Sequence, residues 1–401
     1  MSDTRTAGRR INWNEVSVTI AAFVLAFLVG AILMIVSDSD ITSKFAYFTA
    51  RPSDALTASW DKVSHAYSAL FKGALGGPTA ITETTAQAAP LIFAGLGVGL
   101  GFRAGLFNIG AQGQAVWGSI VAAYVGFTFH GPMIVHLPLA ILAGVAAGAL
   151  WGGIAGILKA RAGAHEVIVT IMLNYIATGL LGWLLTTTVF QRPGRTDPIS
   201  PIVDWNATLP RLSGTRLHLG FVLALLAAAA AWWILERTTL GFQIRAVGAN
   251  PHASATAGMS VANITTVTML LSGGLAGLAG VMAALGPSIE GTPTPLTMGL
   301  VGSVGFDAIT VALLGRSRPL GTVLAGLLFG AMHAGGLAMQ SMAQTPYDLT
   351  SVLQALIVLF VAAPMLVRTL VPFLRERRGK QAEAGPVDTK ATPAATTGGL
   401  A

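Results

Sequence analysis

The chain is a succession of apolar stretches of similar length separated by short polar joints. Runs of spanning length fall at about 16–36, 85–102, 105–127, 136–158, 166–190, 218–235, 263–285, 299–315, 319–340 and 349–371. Roughly 20 apolar residues cross a bilayer as a helix, whereas a membrane barrel needs short alternating strands, which this pattern lacks. The pattern predicts an all-α, polytopic membrane helical bundle of about ten transmembrane helices. Two longer joints, 37–84 and 191–217, read as loops on one side, the first as an insert. A third, 236–262, is polar, basic and longer than a simple helix connection; in it Thr238 and Thr239 read as caps and Pro251 as the start of a second short helix.

Composition agrees with a membrane domain over 16–371. Of 401 residues 53% are hydrophobic and 10% charged, against about 25% charged in a soluble domain. The net charge of +7 comes from Lys and Arg scattered singly, without the clustered basic face that a nucleic-acid partner requires. With a cytoplasmic N-terminus, sixteen of the 24 Lys and Arg fall on the inner side, so both termini are expected to be cytoplasmic. Residues 1–15 then form a leader with Arg5, Arg9 and Arg10. Val16–Val36 is too long for a signal-peptide core and reads as a retained helix. The tail, 372–401, is rich in Ala, Thr, Gly and Pro and is predicted to be disordered.

Enzyme chemistry finds little support. There are no cysteines, and none of the six lysines is followed by Ser or Thr, so no phosphate-binding P-loop is present. HExxH and GxSxG are missing as well. The seven histidines stand apart and read as interfacial, with no metal site.

Polar residues within the apolar runs are the informative ones. Glu166, Thr170, Asn174 and Thr178 recur every four residues along one helix face. Asn108, Gln112 and Gln114 open the third run. Two readings fit these side chains: the wall of a hydrated substrate path, or hydrogen-bonding glue between helices. Asp307 is the clearest intramembrane carboxylate, either a proton or cation site or part of a broken helix near Gly302 and Gly305. Gly144, Gly148, Gly152 and Gly156, with Gly326 and Gly330, form small-residue stripes expected to let helix backbones approach closely.

Four motifs carry a family resemblance: "GFRAGLFNIGAQGQ" from Gly101, "HEVIVTIMLNYIA" from His165, "GFQIRAVGANPHASATAGMS" from Gly241 and "GFDAITVALLGRSRPLG" from Gly305. Together they resemble the nucleoside and simple-sugar permease branch of ABC importers, related to ribose and branched-chain amino-acid permeases, over about 85–370. The resemblance implies a multi-pass subunit of a bacterial inner membrane with no cofactor of its own. Its implied partners are a second, different permease, a cytoplasmic ATPase that binds ATP and magnesium, an extracytoplasmic binding lipoprotein and membrane lipid. It further implies nucleoside import, with ribose or another simple sugar as the alternative cargo. In such permeases the matching segment contacts the ATPase, which here involves Leu240, Gly241, Phe242, Arg245, Ala246, Gly248, Asn250, Pro251, Ala255 and Gly258. An ion-coupled carrier using Asp307, and an intramembrane enzyme using Glu166 or Asp307, remain as competing readings.

Overall fold

The computed structural model describes residues 13–211, 215–288 and 290–371. The expected tail and most of the expected leader lie outside the described residues. The chain begins with α1 (Trp13–Ser37), α2 (Ser39–Phe45), α3 (Pro52–Leu75), α4 (Pro78–Arg103) and α5 (Ala111–Thr128). It continues through α6 (Met133–Ala162), α7 (Glu166–Leu184), α8 (Leu219–Arg237), α9 (Thr239–Ala249) and α10 (Pro251–Thr256). The last third holds α11 (Val261–Leu285), α12 (Val304–Leu314), α13 (Pro319–Ala343), α14 (Tyr347–Ala362) and α15 (Pro364–Leu370). Among the described residues strand pairing is limited to two isolated bridges, Ile202 with Pro295 and Arg211 with His218.

Seven helices among the described residues are long and apolar enough to cross a membrane: α1, α4, α6, α7, α8, α11 and α13. The other three expected segments differ in kind. Two glutamines make α5 less apolar than its length suggests, and α12 has only 11 residues. α14 and α15 meet at a 94° bend, where Pro364 lacks the amide that would continue the helix.

The 37–84 segment is not the loop that its polarity suggests. α3 fills 24 residues of it and packs on α13, α4 and α1. Its buried face is mainly small residues, Ala55, Ser59, Ala66, Ala69, Leu70 and Ala74, so a scan for apolar runs passes over it. Among its described residues the 191–217 joint is irregular, with one 3-10 turn at Trp205–Ala207.

Close backbone packing organises the centre. α4, α11 and α13 are buried over most of their length, while α1, α6, α7 and α8 are buried over less than a third. α11 crosses α6 at glycines: a Cβ on Gly148 would stand 2.6 Å from the Gly273 carbonyl oxygen and 2.6 Å from the Gly277 Cα. Gly152 and Gly156 meet α11 in the same way, Gly144 meets the Val281 side chain and the Gly118 carbonyl of α5, and Gly326 and Gly330 of α13 press on Ile92 and on Thr84 and Ala88 of α4. The glycine stripes are therefore contact surfaces between helices.

A charged cluster ties the irregular joint to α4. Arg216 Nη1 donates to both carboxylate oxygens of Glu83, at 2.6 and 2.7 Å. His218 caps α8 by accepting from the Gly220 amide at Nδ1, 3.1 Å away. Burial, then the nearby Arg216 and Arg211, push the His218 imidazole down to about 4. Its neutral form is therefore required by both the cap and the charges around it.

Two predictions follow from this packing. Gly148→Leu is expected to destabilise the purified protein by about 1–3 kcal/mol through overpacking, whereas Gly179→Ala, with open space at its Cβ position, should be neutral or slightly stabilising; thermal unfolding in detergent compares them. For His218, the folded value lies below the usual value near 6.5, so its stabilising contribution is complete above that value. It is lost as pH falls from there toward 4. Amide exchange around residues 218–222 should accelerate over that window in the wild type, and His218→Asn should flatten the dependence.

Candidate substrate path and coupling surface

Two helices begin inside the bundle, and the polar residues gather where they do. Residues 104–110 are irregular, Gly105 takes φ +70°, and α5 starts only at Ala111. Residues 299–303 likewise turn, Gly302 takes φ +56°, and α12 starts at Val304. The two beginnings meet: Gly305 packs against the backbone of Ala111 and Gln112, closer than any side chain would allow. Gln112 bridges them, accepting from the Gly305 amide at 2.8 Å and donating to the Gly302 carbonyl at 2.7 Å.

The remaining amides brace the same junction. Asn108 Nδ2 donates to Gln114 Oε1 at 3.0 Å and to Ser272 Oγ at 2.8 Å, while Asn108 Oδ1 accepts from the Gly110 amide at 2.9 Å. Ser272 in turn donates to the Gly97 carbonyl at 2.7 Å. From α7, Asn174 accepts from the Gly113 amide at 2.8 Å and donates to the Ile109 carbonyl at 3.0 Å. Thr170 and Thr178 donate back to the carbonyls of Glu166 and Asn174 in their own helix. Glu166 pairs with Lys159 at 2.6 Å. Asn108, Gln114, Thr170 and Asn174 are all buried. Asn108, Gln114 and Asn174 make hydrogen bonds between elements, Thr170 bonds only within α7, and Gln112 is partly exposed at the junction's edge.

Asp307 stands apart from these amides. It lies in the first turn of α12, where a carboxylate is favoured by the helix dipole, and accepts from Ser303 Oγ at 2.8 Å. Asp307 lines a cavity of about 160 Å³ between α12, α13 and α14, together with Ser303, Thr310, His333, Ser351 and Gln354. Sequence reasoning missed His333, Ser351 and Gln354, and placed every histidine at an interface. His333 instead faces this cavity, His136 is buried with Nε2 3.0 Å from the Val125 carbonyl oxygen, and His218 is a buried cap. A signal was present: Ser303, Asp307 and Thr310 share the i, i+4, i+7 spacing of Tyr347, Ser351 and Gln354. Among the described residues no three His, Asp or Glu side chains gather as a metal site.

The 236–262 segment forms the two short helices its caps predict. Thr238 Oγ1 accepts from the Gly241 amide at 3.1 Å, Asn250 Oδ1 accepts from the Ala253 amide at 3.0 Å, and Pro251 occupies the first turn of α10. Gly241 lies on the α8 backbone, and Gly248 on the backbone of Arg103 and Ala104, where no side chain fits. Leu240 joins the apolar cluster beneath, and Arg245 lies 3.9 Å from Glu236, holding α9 to the end of α8. Ala246 is half-buried. Phe242, Pro251 and Ala255 are exposed, and Gly258 closes α10 with φ +83°. Arg103 Nε donates to the Ser317 carbonyl at 2.9 Å, so the α12–α13 turn belongs to the same surface.

With a multi-pass helical bundle, a docked pair of short polar helices and broken helices inside it, the architecture is that of a membrane permease. The family model described as the permease component of the branched-chain amino-acid transport system matches residues 80–362. The chain belongs to this family and is a multi-pass membrane protein. It is 39% identical over 366 residues to the guanosine ABC transporter permease NupP of Bacillus subtilis, covering 90% of this chain and 97% of the relative. It is 34% identical to the glucose ABC transporter permease TsgB13 of Haloferax volcanii, covering 80% and 86%, and 32% identical to the nucleoside ABC transporter permease NupB of Lactococcus lactis, covering 92% and 96%. The guanosine permease NupQ of the same Bacillus subtilis strain matches less fully, at 27% over 62% of this chain and 79% of its own length. No solved structure matches.

One prediction separates brace from path. Asn108→Leu strands the Gln114 side-chain amide and the Gly110 backbone amide in a buried site, at about 1–3 kcal/mol for each unsatisfied group. It is expected to lower thermal stability and yield of the folded protein, whereas Gln112→Ala, at the partly exposed edge, should do so less.

Proposed function

We propose that the chain is one of two different permease subunits of an ATP-driven importer that moves nucleosides inward. The observation that carries this reading is the match to the guanosine permease NupP over nearly its whole length. The pairing is supported by a second guanosine permease in the same organism that matches less fully, which gives this chain the role of the fuller match in such a pair. The subunit supplies no nucleotide chemistry itself: ATP and magnesium are bound by a partner ATPase, and a binding lipoprotein delivers cargo from the other side. By the charge bias, the end carrying Arg103, Arg245, Arg316 and Arg318 is cytoplasmic, in the inner membrane of a bacterium, with both termini on that side.

On that reading α9 and α10 are the coupling surface. Their buried side is fixed on the bundle by glycine contacts, and their outer side leaves Phe242, Pro251 and Ala255 exposed. An exposed phenylalanine among small residues suits insertion into a cleft of the ATPase, because an aromatic anchor contributes much of its binding energy when buried in a pocket. A second reading, import of a simple sugar, is favoured by the glucose permease relative.

Two measurements test these statements. The complex, reconstituted in proteoliposomes with its ATPase and binding protein, is expected to take up guanosine in an ATP-dependent manner, in preference to glucose; glucose uptake alone would establish the second reading, and uptake without the ATPase would point to ion coupling. Phe242→Asp is expected to leave the fold of this subunit intact and to lower cargo-stimulated ATP hydrolysis at least tenfold, in line with about 2 kcal/mol for an interfacial anchor. Unchanged hydrolysis would mean that Phe242 faces no partner.

A further inference from the structure

The cavity between α12, α13 and α14 is a feature that helix packing does not require. Ser303, Asp307 and Thr310 form one polar stripe, and Tyr347, Ser351 and Gln354 form another, facing it across about 160 Å³. His333 projects between them from α13, close enough to interact with both Gln354 and Asp307. Phe329 and Val358 close the apolar side, and Ser303, Ser351 and Ala355 are exposed, so the space reaches the surface. Polar stripes of this kind are costly in a membrane unless they meet polar partners or line a hydrated space. Unlike the amides at the α5 junction, whose hydrogen bonds are filled from within the chain, Asp307 is held by Ser303 at one oxygen, Oδ2.

We infer that this cavity is a sugar subsite, in which Asp307 accepts hydrogen bonds from the vicinal hydroxyls of a pentose. The inference rests on the nucleoside reading above and assigns the ribose half of the cargo to named residues. Size supports a ring and not a whole nucleoside: drug-sized ligands occupy roughly 300–1,000 Å³, so the base would remain outside the cavity. The chemistry is complementary. A carboxylate accepts from two hydroxyls at once, the Ser351 hydroxyl and Gln354 amide can donate or accept, and the Phe329 and Tyr347 rings offer apolar faces to the carbons of the sugar. One carboxylate and one imidazole are too few ligands for a divalent metal, and no third acidic or imidazole group joins them among the described residues.

The test is discrimination between guanosine and 2′-deoxyguanosine. Initial uptake rates are measured in proteoliposomes containing the whole complex, at binding-protein concentrations saturated with each compound, so that affinity of the delivery protein drops out. Wild-type uptake of guanosine tests the nucleoside reading separately. If that uptake is present, Asp307→Asn is expected to slow guanosine by roughly tenfold or more, the scale of a lost charge-assisted hydrogen bond, and to bring the ratio of the two rates close to one. Ser351→Ala, a smaller change in an exposed hydroxyl, should move the ratio the same way by a few fold and guards against misfolding of the first variant. A ratio that both variants leave at the wild-type value, or equal slowing of both compounds, would overturn the subsite. So would wild-type uptake that follows an imposed sodium or proton gradient and loses that dependence in Asp307→Asn, since the cavity would then hold a cation.

Discussion

A lipid interior offers no hydrogen bonds, so every interruption of a helix within it must be satisfied by the protein itself. Both α5 and α12 start inside the bundle, and each leaves amide groups that a longer helix would have paired. The chain meets this demand with three amide side chains, Asn108, Gln112 and Asn174, while Gln114 holds Asn108 in place. Gly305 then lets the two starts touch backbone to backbone. The glycine contacts of α4, α6 and α11 belong to the same solution, because the braces span only the distances that such close packing leaves.

This arrangement changes what a polar residue in a permease helix signifies. Neutral amides in an apolar run suggest a path for a neutral cargo, and their spacing on α7 strengthens that impression. In this structure Asn108, Gln114 and Asn174 are buried and hydrogen-bonded within the chain, an arrangement that suits a brace. Polar groups with spare capacity lie elsewhere, around Asp307, on helices that the apolar pattern ranked as ordinary spans.

Legibility of the fold from the sequence followed the physics of each signal. Seven spans were visible because twenty apolar residues in a row have few other uses. α9 and α10 were visible because Thr238 and Pro251 are strong local helix-start signals, although Asn250, which caps α10, did not stand out as one. α3 was hidden, since alanine and serine can bury a helix face without raising its hydropathy. The late start of α5 at Ala111 was also hidden, because the turn depends on Asn108 finding Ser272, 164 residues away. His333 looked isolated for a similar reason: its neighbours Asp307 and Gln354 arrive from two other helices, and only the matching spacing of the polar stripes hinted that they would.

The Gly248 contact has a mechanical meaning beyond packing. With no side chain between them, α9 and the Arg103–Gly105 turn behave as one body, and the Arg103 hydrogen bond to Ser317 adds the turn that precedes α13. On the coupling reading proposed above, a force applied to α9 would reach the turns before α5 and α13 through a stiff lever of backbone, with little soft side chain in series to absorb the stroke. The part of the protein next to that lever is the start of α5, and through Gln112 the junction where α5 and α12 meet.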